Sequence, residues 1–128
     1  MSYKAGDVLT ERTFGPVTRT DFVRYQGASG DFNPIHHDET FATTAGFPTV
    51  FSVGMLQAGY LATFATDLFG PDNVRQFKVR FREQVWPGDT LTCSGTVAGV
   101  DDGTVMLDLT VTTQDGKTAI EGTATFAI

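Results

Sequence analysis

Asp31 and His36 stand five positions apart in Ser29-Gly30-Asp31-Phe32-Asn33-Pro34-Ile35-His36-His37-Asp38, and Pro34 stiffens the turn between them. A carboxylate and an imidazole held together make a general acid–base pair. Histidine titrates near neutrality, and a carboxylate can orient it or bind water itself. The two side chains suit joint action on one water molecule or one proton. A plainer reading fits the same spacing: Asp31 closes an Asx turn on the backbone and His36 is a satisfied loop residue. The spacing leaves both open. Asn33 carries an amide suited to holding the loop or orienting either partner. His37 follows His36 directly, so their side chains point apart, and His37 is expected to be exposed and structural.

Other chemistries fit less well. Asp31, His36, His37 and Asp38 contain the residue types of a two-histidine, one-carboxylate metal set. Neighbouring histidines seldom converge on one ion, and no second ligand cluster occurs in the sequence. The Asp-x-Asn start of a calcium loop is followed by Pro34, by His36 where that loop needs glycine, and by no glutamate at its last position. No metal is expected. Cys93 falls on the apolar side of an alternating stretch, as a small buried hydrophobe does. Ser52 lacks a Gly-x-Ser-x-Gly setting, and no phosphate-loop or dinucleotide fingerprint occurs.

The elements that must position this loop are legible. Thr18 and Asp21 have capping-box spacing, so a helix is expected from Arg19, fading around Gly27 to Gly30. Asn33 precedes proline and is biased away from helical angles. Asp38 is placed to cap a short helix over Glu39 to Ala45, stopped by Gly46 and Pro48. Gly54 to Phe69 holds no Lys, Arg or Glu and only Asp67 among acids. A helix apolar nearly all round is a buried helix. At 1.5 Å per residue it is about 24 Å long, and Gln57, Thr63, Thr66 and Asp67 argue against a membrane span. Gly54, Ala58, Ala62 and Ala65 fall near one face, suited to close approach to a sheet.

After residue 74 the pattern changes to period two. Phe77, Val79, Phe81 and Val85 alternate with Gln76, Lys78, Arg80, Arg82 and Gln84. Three more alternating stretches follow, separated by Pro87-Gly88-Asp89, Asp101-Asp102-Gly103 and Asp115-Gly116. An early strand around Val8 to Phe14 is placed to join them. A buried helix on an antiparallel sheet is an α+β architecture.

The bulk numbers set limits. A chain of 128 residues with 41% hydrophobic content is one domain, residues 1–128, with a modest core. A net charge of −6 argues against a general nucleic-acid or anionic-membrane surface. One cysteine excludes an intrachain disulfide. No signal-peptide pattern is seen, and a cytoplasmic enzyme or binding protein is expected.

Gly30-Asp31-Phe32-Asn33-Pro34-Ile35-His36 resembles the hydratase signature of the MaoC-like, (R)-specific enoyl-CoA hydratases. Val53-Gly54-Met55-Leu56 resembles the start of that family's central helix, and Gln84 to Leu91 its later strand-turn-strand segment. The resemblance runs along nearly the whole chain in order. It implies a hot-dog fold, a long helix wrapped by an antiparallel sheet. It also implies dimers, with acyl-CoA thioesters bound near the subunit interface, and no cofactor beyond the CoA of the substrate. By the same resemblance, Asp31 and His36 share the catalytic water. Water adds syn to a trans-2-enoyl-CoA and gives a (3R)-3-hydroxyacyl-CoA, or the reverse dehydration runs. The backbone N–H of Gly54 is the implied donor to the thioester oxygen, at a helix start whose N–H groups lack intrahelical partners.

One departure stands out. The family often has histidine directly before this glycine, where this chain has Val53 preceded by Ser52. The pocket near the helix start is then more apolar, and bulky acyl groups, steroid-type ones included, come into range. Lys78, Arg80 and Arg82 share a strand face and are candidate contacts for CoA phosphates; a solvated strand face is the plainer reading. Two other functions stay in view. A hot-dog thioesterase would direct water onto the carbonyl instead. A heteromeric assembly would place a second, different chain against the acyl pocket.

Overall fold

The computed structural model describes residues 2–128. Its elements, in order, are β1 (Arg12–Phe14), α1 (Arg19–Ser29), a 3-10 turn (Pro34–His36), α2 (Glu39–Thr44), α3 (Gly54–Phe69), a second 3-10 turn (Pro71–Asn73), β2 (Val74–Phe81), β3 (Leu91–Asp101), β4 (Thr104–Thr113) and β5 (Thr118–Ala127). The strands form one antiparallel sheet in the order β1-β3-β4-β5-β2. Four of the strands come from the period-two half of the chain. The early strand is shorter than expected: only Arg12–Phe14 pairs, with an isolated bridge from Val8 to Thr96.

Period-two alternation becomes a two-faced sheet. Leu91, Cys93, Val97, Val105, Leu107, Leu109, Val111, Ile120, Ala124 and Phe126 are buried and share one core with Leu61, Phe64 and Ala65 of α3. The Thr, Ser and Asp residues between them face outward, apart from Thr113, which is buried. Gly95 and Gly122 leave out a side chain where neighbours crowd: a Cβ on Gly95 would lie 2.7 Å from Leu109, and one on Gly122 would lie 3.0 Å from the Lys78 carbonyl oxygen.

α3 spans the predicted residues, but it is not buried all round. Gln57, Ala58, Leu61, Phe64, Ala65 and Phe69 are buried, whereas Met55 and Leu68 are exposed. A single sheet covers one side of a helix. Phe81, expected on the buried face, is also half exposed for want of cover at the end of β2. No helix is long and apolar enough to cross a membrane among the described residues.

Candidate active site

Three local stops deliver the loop. α1 begins with the expected capping box: the Thr18 hydroxyl accepts from Asp21 N–H, and the Asp21 carboxylate accepts from Thr18 N–H. It ends at Gly30, whose φ of 77° reverses the chain directly before Asp31. The Asn33 side chain then accepts from Ile35 N–H at 3.1 Å and caps the 3-10 turn. Asp38 caps α2 through Phe41 N–H.

Asp31 lies at the surface of this loop. Its Oδ1 accepts from Asn33 N–H at 3.2 Å, an Asx-type contact, and its Oδ2 meets no protein donor among the described residues. The turn role and a free carboxylate oxygen therefore coexist. His36 is buried at 8% exposure. Its Nδ1 lies 2.7 Å from the Phe51 carbonyl oxygen. A carbonyl only accepts, so Nδ1 carries the proton and the neutral ring keeps its lone pair on Nε2. The Phe51 ring meets the imidazole edge-on at 5.3 Å, with Phe47 and Trp86 against Phe51 in turn.

Asp31 and His36 share no direct hydrogen bond among the described residues; the Asn33 backbone joins them. Its N–H serves Asp31, and its carbonyl accepts the His36 N–H at 3.2 Å. Gln26, buried on α1, donates from Nε2 to that same carbonyl at 3.0 Å. Its Oε1 accepts from His37 Nδ1 at 2.9 Å. His37 is exposed, as expected of a residue pointing away from His36. Gln26 is a site-supporting residue that sequence reading missed. The available signal was a polar side chain one turn after Phe22, on the buried side of α1.

The second half of the site follows at once. Phe51 leads through Ser52 and Val53 into Gly54, the first residue of α3. Ser52 N–H donates to the Val85 carbonyl at 2.8 Å, which ties this entry to the segment between β2 and β3. Val53 stands at the N-cap and offers no side-chain acceptor. The N–H groups of Gly54 and Met55 are left without protein partners among the described residues, at the end of the helix where partial positive charge collects. A Cβ on Gly54 would lie 3.0 Å from the Phe81 ring.

The basic cluster lies elsewhere. Lys78 and Arg80 project from the face of β2 opposite Phe77, Val79 and Phe81. They line an open groove of about 440 Å³ with Asp108, Thr110, Glu121 and Thr123. No residue of the loop or of α3 lines that groove. Arg82 donates to Glu121 from Nε at 3.1 Å and from Nη2 at 2.8 Å. The strand pleat separates these residues from Gly54 within one chain, and two carboxylates beside them offset their charge. No three His, Cys, Asp or Glu side chains cluster to hold a metal ion among the described residues.

Comparison with known proteins decides the family. Residues 4–119 match the model of the MaoC like domain. The chain belongs to the MaoC-like family. Among relatives, the (R)-specific enoyl-CoA hydratase of Rhodospirillum rubrum is 36% identical over 115 residues, covering 88% of this chain and 80% of that protein. The peroxisomal hydratase-dehydrogenase-epimerase of Saccharomyces cerevisiae is 40% identical over 74 residues, but the match spans only 8% of its length. Among solved structures, the (R)-hydratase from A. caviae involved in PHA biosynthesis superposes with a TM-score of 0.88 at 25% identity, covering 99% of this chain and 98% of that one. A chain of the ChsH1-ChsH2 complex from Mycobacterium tuberculosis gives 0.86 at 26% identity, with 97% of each chain covered. The family's fold is the hot-dog arrangement of helix and sheet seen in this chain, and its members make the protein a hydro-lyase.

Proposed function

We propose that this protein is an (R)-specific 2-enoyl-CoA hydratase that also runs the reverse dehydration. The observation that carries the reading is the orientation of His36. Its Nδ1 proton is committed to the Phe51 carbonyl, so the Nε2 lone pair is available as a base on a loop that also carries a free Asp31 oxygen.

The steps follow from those groups. Asp31 Oδ2 accepts one hydrogen of a water and holds it; His36 Nε2 removes a proton from that water. The water oxygen bonds to C3 of the enoyl thioester. The π electrons of C2–C3 move to the thioester oxygen, which Gly54 N–H and the positive end of α3 stabilise. When that electron pair returns, the His36 imidazolium gives the proton it took from water to C2 on the same side, and the product is a 3-hydroxyacyl thioester with the neutral imidazole restored. Atoms and charge balance with water as the only co-reactant, so no cofactor beyond the CoA of the substrate is called for.

A homodimer is the assembly we propose. Met55 at the start of α3 and Phe81 against Gly54 are exposed apolar side chains beside the site, and a second copy would cover them. The similarity to a chain of the ChsH1-ChsH2 complex supports a second reading, in which a different chain sits there. Contact of Lys78 and Arg80 with CoA phosphates belongs to the same proposal, through the long arm of CoA and across such an interface.

The experiment is direct. The purified chain is incubated with crotonyl-CoA and with longer and polycyclic enoyl-CoAs, and loss of the conjugated-thioester absorbance is followed. Hydration with formation of the (3R) product is expected. Release of free CoA thiol without hydration would replace this reading with a thioesterase. Activity only after addition of a second chain would select the heteromer.

A further inference from the structure

Gln57 is buried at 3% exposure in the first turn of α3, and Ser52, two residues before the helix begins at Gly54, is buried to the same 3%. The Ser52 hydroxyl donates to Gln57 Oε1 at 2.6 Å. That length belongs to O–H···O rather than N–H···O, so the oxygen end of the amide faces Ser52. Nε2 with its two hydrogens is left over. It has no hydrogen-bond partner among the described residues, and it is not sealed from solvent, since the one fully buried polar side-chain atom without a partner is Thr113 Oγ1.

Direction matters as much as burial. Long helix side chains lean toward the N-terminus. The Ser52 contact shows the Gln57 amide doing so, reaching back past Gly54 to a residue that precedes the helix. The free amide hydrogens therefore sit at the level of the helix start, where Gly54 and Met55 N–H are also unpartnered. Nε2 keeps an opening to solvent and has no partner within the chain among the described residues, so this amide is placed to donate to a molecule that arrives from outside.

We infer that Gln57 Nε2 is a second donor to the thioester oxygen, acting with Gly54 N–H as the negative charge develops there. Ser52 is its positioning residue, holding the amide so that nitrogen faces the site. The inference rests on the hydratase reading above. It adds a side-chain donor to a site that backbone alone would otherwise serve, and it confines the acyl group to one whose thioester carbonyl enters beside α3.

The test uses the purified chain and three variants. Ser52→Ala keeps the Gln57 donor and loosens it. Gln57→Met removes the donor at similar length. Ser52→Ala/Gln57→Met replaces both partners with apolar groups, which tends to leave folding nearly unchanged, and so guards against a Gln57→Met protein that fails to fold. Crotonyl-CoA turnover is measured together with butyryl-CoA affinity and the ultraviolet enolate band of bound acetoacetyl-CoA. The enolate carries the charge these donors would hold, and a structural role would not move its band.

The double variant is expected to lose at least ~10-fold in kcat, from the roughly 10²–10³-fold seen for removal of a single oxyanion donor. Its bound acetoacetyl-CoA is expected to ionise less, with butyryl-CoA affinity held within a few-fold. Ser52→Ala alone is expected to fall between it and the natural chain. Unchanged kcat in the double variant, or lowered kcat with an unchanged enolate band, overturns the inference. A natural chain that hydrates no enoyl-CoA overturns the underlying reading instead, so the two failures are distinguishable.

Discussion

His36 donates its Nδ1 proton to the Phe51 carbonyl at 2.7 Å, which couples the loop after α1 to the chain entering α3. One end of that link carries the base; three residues beyond the other end lies Gly54, whose N–H faces the substrate oxygen in the proposed reaction. His36→Ala removes the base, and Asp31→Asn removes the carboxylate's second acceptor while keeping its size. Each is expected to lower crotonyl-CoA hydration by roughly 10²-fold or more. Steady-state kinetics on folded variants checks this. Near-natural rates in both would discard the mechanism.

Gly54→Ala separates helix stability from chemistry. Alanine is favoured over glycine within a helix by about 0.5–1 kcal/mol, but the new methyl meets the Phe81 ring at 3.0 Å. That ring is half exposed in the single chain, and a shift of a few tenths of an ångström accommodates the methyl. Stability by chemical denaturation is expected to change by less than about 1 kcal/mol. Turnover is expected to fall at least ~10-fold, because the methyl stands beside the N–H that meets the developing charge. An enzyme of full activity would show that substrate does not approach this backbone.

Asn33 serves the loop twice, through its side-chain cap on Ile35 N–H and through backbone bonds to Asp31 and His36. Asn33→Ala is expected to cost about 1 kcal/mol, the usual value of a lost cap. It is also expected to lower kcat, as the turn between base and carboxylate loosens. Asn33→Asp keeps the acceptor and is expected to recover most of both losses. Equal damage from the two substitutions would show that the cap is not what holds the loop.

Cys93 gives a pH prediction. Burial pushes its thiol up to about 12 from an ordinary value of 9.0. A group that titrates higher folded than unfolded contributes stability that is fully present below the unfolded value. That contribution is lost as pH rises from 9 toward about 12. Cys93→Ala is expected to flatten the alkaline decline in stability over that window. At neutral pH the natural thiol is expected to resist an aromatic disulfide reagent until the protein is unfolded; rapid native labelling would contradict its burial.

Phosphate contact at Lys78 and Arg80 is tested by shortening the substrate. Lys78→Ala/Arg80→Ala is expected to raise KM for crotonyl-CoA several-fold at low salt, as exposed charge contacts are worth about 0.2–1 kcal/mol each. KM for the crotonyl thioester of N-acetylcysteamine, which lacks the phosphates, is expected to stay the same. An equal change in both would place these residues outside CoA recognition.

Much of this protein is determined locally. The Thr18–Asp21 capping box, the Gly30 stop, the Asp38 cap and the bounds of α3 depend on residues within a few positions of each other, so period and capping chemistry read them from the sequence. The period-two half of the chain likewise determines four strands and their inward faces, and the Asp31 to His36 signature marks the loop. Tertiary structure alone decided the rest. Which nitrogen of His36 carries the proton depends on Phe51, fifteen residues away and brought near by the fold. Gln26 and Gln57 gain their places from partners on other segments. Phe81 and one side of α3 stay exposed because a single sheet covers a helix on one side only. Lys78 and Arg80 lie behind the sheet because the pleat that buries Phe77 and Val79 turns their neighbours outward, and no local pattern says which face a distant helix start will adjoin.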